Sequence, residues 1–93
     1  MSVGIALGEA IKIIRTARKL TQEDFSDVSS RTYLSTLERG LKSPTINKME
    51  QLAETMSVHP LTVLTLAYAT AEKSPIEDLA AKVLGELQSI LPR

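Results

Sequence analysis

Ninety-three residues, 43% apolar and 24% charged, suffice for one small domain, are too few for two independent cores, and argue against disorder. The absence of cysteine excludes a disulfide framework, a thiolate metal site and thiol catalysis, and a single histidine, His59, leaves no pair for a histidine metal site or relay. Eleven basic and eleven acidic side chains give zero formal charge, so attraction to a polyanion has to come from how charge is distributed along the chain.

Helical periodicity runs through the chain, and no stretch alternates with the period of a half-buried strand. Leu7, Ala10, Ile11, Ile14, Ala17 and Leu20 recur at three- and four-residue steps, which predicts an amphipathic first helix over residues 5–19. Thr21 suits an N-cap, and Gln22-Glu23-Asp24 places acids in a first turn, where the helix dipole favours them. A short second helix over residues 22–28 would bury Phe25 and Val28. Ser29-Ser30 supplies a turn and a new N-cap. A third helix follows over residues 31–39 with Leu34 and Leu37 inward, and Gly40 sits where a left-handed closing residue is wanted.

Leu41 to Pro44 form a loop, after which Ile46, Met49, Leu52, Ala53 and Met56 mark a fourth helix over residues 45–56. His59-Pro60 opens a fifth helix, proline being tolerated at the first helical position, with Leu61, Leu64 and Tyr68 as inward candidates. Ser74-Pro75-Ile76-Glu77 reads as a capping box around an N-cap serine, the clearest helix start in the chain, and opens a sixth helix over residues 75–91. The fold class is all-α. The longest uncharged run, Thr55 to Ala71, is broken by His59-Pro60 and carries four threonines, too short and polar to span a bilayer. Met1 to Leu7 has no basic residue and Glu9 follows closely, unlike a signal peptide, so the expectation is a soluble, cytoplasmic protein without a membrane partner.

The charge is polarised. Residues 12–48 hold eight bases (Lys12, Arg15, Arg18, Lys19, Arg31, Arg39, Lys42, Lys48) against four acids (Glu23, Asp24, Asp27, Glu38), a local charge of +4. Residues 49–93 hold three bases and six acids, and residues 1–11 add Glu9 alone. Two short helices joined by a tight turn within the basic stretch suggest a helix-turn-helix, a shape that small helical proteins also adopt without any role in DNA binding.

The residues themselves are more specific. Ile14-Arg15, then Lys19-Leu20-Thr21-Gln22-Glu23-Asp24-Phe25, then Arg31-Thr32-Tyr33-Leu34-Ser35-Thr36-Leu37-Glu38-Arg39-Gly40 resemble the Cro/repressor (Xre-type) helix-turn-helix regulators. Ser43-Pro44-Thr45, the run from Met49 to Val58, and Pro60-Leu61 resemble that family's later helices, so the likeness covers residues 7–68. It implies a five-helix Cro/repressor-like domain followed by the sixth helix. It also implies that the helix from Ser30 to Arg39 enters the major groove of double-stranded DNA, with Arg31, Thr32, Ser35 and Thr36 outward as base contacts. Arginine offers a fork matched to guanine O6 and N7, and a threonine methyl can meet a thymine methyl. Gln22, Ser30, Arg39, Lys42 and Ser43 are the implied phosphate contacts, and Tyr33 either joins them or covers the edge of the core. Arg15 and Glu38 fall where related domains pair an arginine with a glutamate between the first and third helices. One departure stands out: Thr21 to Arg31 spans ten positions, roughly two fewer than the family pattern, and the usual turn glycine is missing. Either the second helix ends early or the recognition helix starts differently.

Ile76, Leu79, Ala80, Val83, Leu84, Leu87, Ile90 and Leu91 form a stripe wider than one small core needs. The last helix either folds back on its own domain or pairs with a second copy, with Val83, Leu84, Leu87, Ile90 and Leu91 as the dimer candidates. This divides the chain into a DNA-binding unit over residues 1–71 and a dimerisation element over residues 72–93. The expected function is a sequence-specific transcriptional regulator, a repressor that binds a palindromic operator as a homodimer. A protein-interaction module or an antitoxin-like partner built on the same scaffold is the alternative. The roughly 20 residues after the fifth helix are too few for an effector domain, and no cofactor or metal is expected. Nothing points to an enzyme: Glu77-Asp78 serve a helix start, His59 reads as a capping or surface residue, and no nucleophile–base spacing or phosphate-cradling glycine loop occurs.

Overall fold

Apolar residues spaced at helical intervals fold into five α-helices and one 3-10 turn, seen in a computed structural model that describes residues 1–92. In chain order they are α1 (Val3–Ala17), the 3-10 turn (Gln22–Phe25), α2 (Arg31–Glu38), α3 (Ile46–Thr55), α4 (Pro60–Glu72) and α5 (Ile76–Ile90). The dimerisation element predicted over residues 72–93 ends at Arg93, which lies outside the described residues.

Most helix starts follow local chemistry. Ser2, Ser30 and Thr45 each accept a hydrogen bond from the backbone N–H three residues on, at Ile5, Tyr33 and Lys48. The Ser2 cap lets α1 begin at Val3, two residues before the predicted start. His59 caps α4 by accepting the Leu61 N–H on Nδ1 at 2.9 Å. At the other end of α2, Gly40 takes φ +74° and the Leu41 N–H returns to Thr36 O at 3.2 Å. A side chain there would also collide with α1, since a Cβ on Gly40 would lie 2.9 Å from Ile5 Cα.

Ile11, Phe25, Leu34, Leu37, Leu52, Met56 and Val63 are the largest fully buried side chains, and they draw α1 to α4 and the 3-10 turn around one core. The most extensive packing is between α1 and α4, where Ala6, Ala10 and Ala67 are all buried and small enough to let two axes come close.

Five expectations need correction. The second helix does not reach Val28: it is a four-residue 3-10 turn that ends at Phe25, and the Val28 and Ser29 N–H groups both close back on Phe25 O at 2.9 Å. The shortened spacing is therefore absorbed before α2, which starts at Arg31 behind its Ser30 cap. Ala17, the last residue of α1, is exposed because no element covers the helix end. Ile46 is 79% exposed, since it is the first residue of α3 and overhangs the core that Met49 enters. Leu61 and Tyr68, 61% and 43% exposed, do not point inward; Val63, Ala67 and Ala69 do, and Leu64 is half-buried. The helix is apolar on all sides, so periodicity alone does not select its buried face. Finally, the Ser74 capping box does not form. Lys73 takes a left-handed conformation and the Ser74 N–H closes α4 on Ala69 O at 3.0 Å, so Pro75 becomes the cap position and α5 starts at Ile76.

Among the helices, α5 packs on α4 alone and has no buried residue. No helix among the described residues is long and apolar enough to cross a membrane.

Candidate nucleic-acid interface

With Leu34 and Leu37 buried, α2 turns Arg31, Thr32 and Arg39 to solvent and leaves Ser35 and Thr36 half-buried at the margins of that face. One carboxylate on this helix, Glu38, joins it to two other elements. Arg15 on α1 donates to Glu38 through Nε–Oε2 at 2.6 Å and Nη2–Oε1 at 3.0 Å, and its Nη1 donates to Leu20 O at 2.9 Å. Gln22 in the 3-10 turn donates its Nε2 to Glu38 Oε1 at 3.2 Å. Three elements thus converge on Glu38, whose side chain is 5% exposed against 14% for Arg15. The hydrogen bond to Glu38 raises the already high pKa of the guanidinium, outweighing the opposing effect of burial. Such a pair adds little net stability, because desolvation offsets attraction; what it does is join α2 to α1 through a two-pronged contact.

Glycine makes that contact close. An added Cβ at Gly8 on α1 would clash with the Leu37 carbonyl oxygen, lie 2.9 Å from Glu38 O and 3.0 Å from Gly40 N. These are backbone atoms at the end of α2, so they cannot swing aside. The sequence reading missed this glycine. The available signal was an isolated glycine inside an otherwise regular amphipathic helix.

Around this centre several side chains named from the sequence line two clefts that meet at Gln22. Lys12, Gln22, Ser35 and Arg39 line a small polar cleft of about 200 Å³ over the buried pair. On the other side of Gln22, a cleft of about 420 Å³ runs from Arg15, Leu20 and Thr21 to Glu23 and Arg31. There Arg31 Nη1 lies 3.4 Å from Glu23 Oε1 in an open ion pair. Thr36 donates its hydroxyl to Thr32 O at 2.8 Å, leaving its methyl and an oxygen lone pair to offer. Tyr33 is half-buried and packs against the core, and Lys42 and Ser43 are exposed in the loop after α2.

Lys48 is placed differently from the rest of the basic stretch. Its half-buried side chain reaches from α3 to donate to Val28 O, in the turn before α2. That cation braces the shortened turn. Among the described residues, no three His, Cys, Asp or Glu side chains come together as a metal site would require.

A capped helix tied to a short preceding turn, with a polar and basic outward face, is the arrangement of the helix-turn-helix class of DNA-binding proteins. Residues 11–63 match the helix-turn-helix family, and the chain belongs to it, as a transcription regulator of the Xre type that binds double-stranded DNA. Its structure is similar to that of the Clp gene regulator ClgR from C. glutamicum, with a TM-score of 0.70 and 25% identity over 75% of this chain and 94% of that one. No curated protein matches the chain.

Proposed function

We propose that the chain acts in the cytoplasm as a homodimeric repressor, each copy laying α2 into the major groove of one half of a palindromic operator. Arg31, Thr32, Ser35 and Thr36 read bases, while Gln22, Ser30, Tyr33, Arg39, Lys42 and Ser43 contact phosphates. The observation that carries this reading is the fixed outward face of α2, held on α1 and the 3-10 turn by the Arg15–Glu38–Gln22 contacts. Gln22 uses one amide hydrogen on Glu38 and keeps the other for a phosphate. Ser30 accepts at its oxygen and keeps its hydroxyl hydrogen to donate. Repression needs only occupancy of a site overlapping a promoter, and likeness to a gene regulator supports a transcriptional role.

Support for the dimer comes from α5. Residues 1–71 form the DNA-binding unit, and residues 72–93 carry Val83, Leu84, Leu87, Ile90 and Leu91, all exposed. Beside them an open groove of about 660 Å³ between α4 and α5 is lined by Leu61, Leu64, Tyr68, Leu79, Val83 and Leu87. Apolar surface of this extent on a small protein marks an interface, and a second copy about a two-fold axis covers both stripes at once.

The test selects duplexes from a random pool and measures binding by fluorescence anisotropy at two salt concentrations. Specific binding lost in Arg31→Ala supports the reading. If Arg39 and Lys42 of both copies lie on phosphates, the slope of log K against log salt is as steep as about −3.6 or steeper, from roughly 0.9 per phosphate neutralised. Leu84→Glu and Leu87→Glu should sediment as monomers with weak DNA affinity, whereas dimers in both variants would refute the interface. Absence of DNA binding even at low salt would favour the protein-interaction or antitoxin-like alternative.

A further inference from the structure

On a surface that meets a polyanion, an exposed carboxylate is a liability, because it repels phosphate whatever the base sequence. Glu23 is such a group. It stands in the 3-10 turn beside Gln22, and its Oε1 faces Arg31 Nη1 at 3.4 Å. The side chains are 76% and 72% exposed, so the pair does little for stability. Arg31 is the first residue of α2, at the end from which recognition helices contact base edges. Arg15, which lines the same cleft, is committed to Glu38 and Leu20 O and does not compete for Glu23.

We infer that Glu23 is a specificity-determining positioning residue: it holds one nitrogen of Arg31 and aims the rest of the guanidinium at a guanine. This rests on the reading of α2 as the base-reading helix and adds a residue outside α2 to it. An unrestrained arginine settles on any phosphate within reach, a contact that carries no sequence information. Its planar fork has donors to spare, so Nη1 can stay with Glu23 while the remaining N–H groups meet guanine O6 and N7. The carboxylate also penalises the wrong pose. When Arg31 turns to a phosphate, Glu23 is left unpaired beside the DNA backbone. Glu23 thus lowers affinity for all sequences and lowers it least for the right one.

The experiment measures binding of the full chain to its selected duplex and to every single-base-pair variant of it. The proteins compared are wild type, Glu23→Gln, Glu23→Ala, Arg31→Ala and the Glu23→Gln/Arg31→Ala double variant. At one base pair per half-site, Glu23→Gln should lose about two- to fivefold of the preference for guanine, the range expected of an exposed pair. Glu23→Ala, which removes the acceptor as well, should lose at least as much. Affinity for a duplex of unrelated sequence should rise in both. Glu23→Gln should change nothing further once Arg31 is alanine. Wild-type base preferences in both Glu23 variants, or equal changes with and without Arg31, overturn the inference and leave the α2 reading intact. A wild type that selects no sequence, or an Arg31→Ala profile identical to wild type, overturns the base-reading role and this inference with it.

Discussion

Replacing Glu38 by alanine tests whether the buried pair orients α2 or merely accompanies it. The substitution removes two acceptors from Arg15 and one from Gln22, and leaves a guanidinium that is 14% exposed with only Leu20 O as partner. Breaking a buried pair costs about 3–5 kcal/mol. The residual exposure of Arg15 and its remaining bond place this case at the low end, ~3 kcal/mol. For a domain of this size each kcal/mol moves the melting temperature by roughly 4–8 °C, so a drop of about 12–24 °C is expected. The decisive companion is Arg15→Met/Glu38→Leu, which replaces the pair by apolar side chains and should recover most of that stability. It does not recover the fork that fixes the angle of α2, so specific DNA binding should stay weak while the melting temperature returns. Calorimetry and anisotropy on the same preparations separate the two effects. An unchanged melting temperature in Glu38→Ala would refute the pairing argument. Full DNA affinity in the apolar double variant would refute the orienting role.

Three further outcomes follow from the packing. Gly8→Ala gains up to about 1 kcal/mol of helix propensity, yet forces a Cβ into the backbone at the end of α2. The net effect should be a loss of ~1–3 kcal/mol together with weaker DNA binding, and a raised melting temperature would exclude the close approach. Lys48→Met strands the Val28 carbonyl, so stability should fall by about 1–2 kcal/mol, read by denaturant titration. The salt dependence of DNA binding should not change. A slope shallower by ~0.9 per copy would instead put Lys48 on a phosphate. His59→Ala should cost about 1 kcal/mol through the lost cap on Leu61 N–H, and His59→Asp should restore it in thermal melts.

The parts of the fold legible in the sequence are those decided by short-range chemistry. Ser30 caps α2, Gly40 closes it, and Leu34 and Leu37 turn inward. Each depends on neighbours within one or two helical turns. The misses share a different cause. At Ser74 two local signals competed for one residue: the left-handed Lys73 drew the Ser74 N–H into closing α4, and the expected cap of α5 was lost. The buried face of α4 depends on which side α1 occupies, information absent from a helix that is apolar all round. Lys48 looks like any other basic residue until α3 is docked beside the turn it braces, 20 residues earlier in the chain. For the candidate interface, the residues of α2 could be named from one helix. Their partners Gln22, Glu23 and Arg15 come from other elements, and the Glu23–Arg31 contact could not be read from spacing.

The shortened turn and the exposed α5 bear on the same quantity, the position of α2 relative to its copy on a duplex. Ending the second helical element at Phe25 leaves Ser26 to Ser29 to carry the chain to the Ser30 cap, and three long-range contacts hold that segment: buried Phe25, half-buried Val28 against the core, and Lys48 on the Val28 carbonyl. These contacts tie α2 to α1, and α1 in turn packs along α4, its most extensive helix–helix contact. Beyond α4 the constraint is weaker: among the described residues α5 packs on no other helix and has no fully buried residue. In the proposed dimer the contact between α4–α5 pairs becomes the one adjustable joint between two otherwise fixed recognition helices. Operator half-sites lie about 34 Å apart, one turn of DNA, in the usual two-fold arrangement. Substitutions in the α4–α5 groove should accordingly change the preferred half-site spacing while leaving the bases read within each half-site as they were, and substitutions around Glu38 should do the reverse.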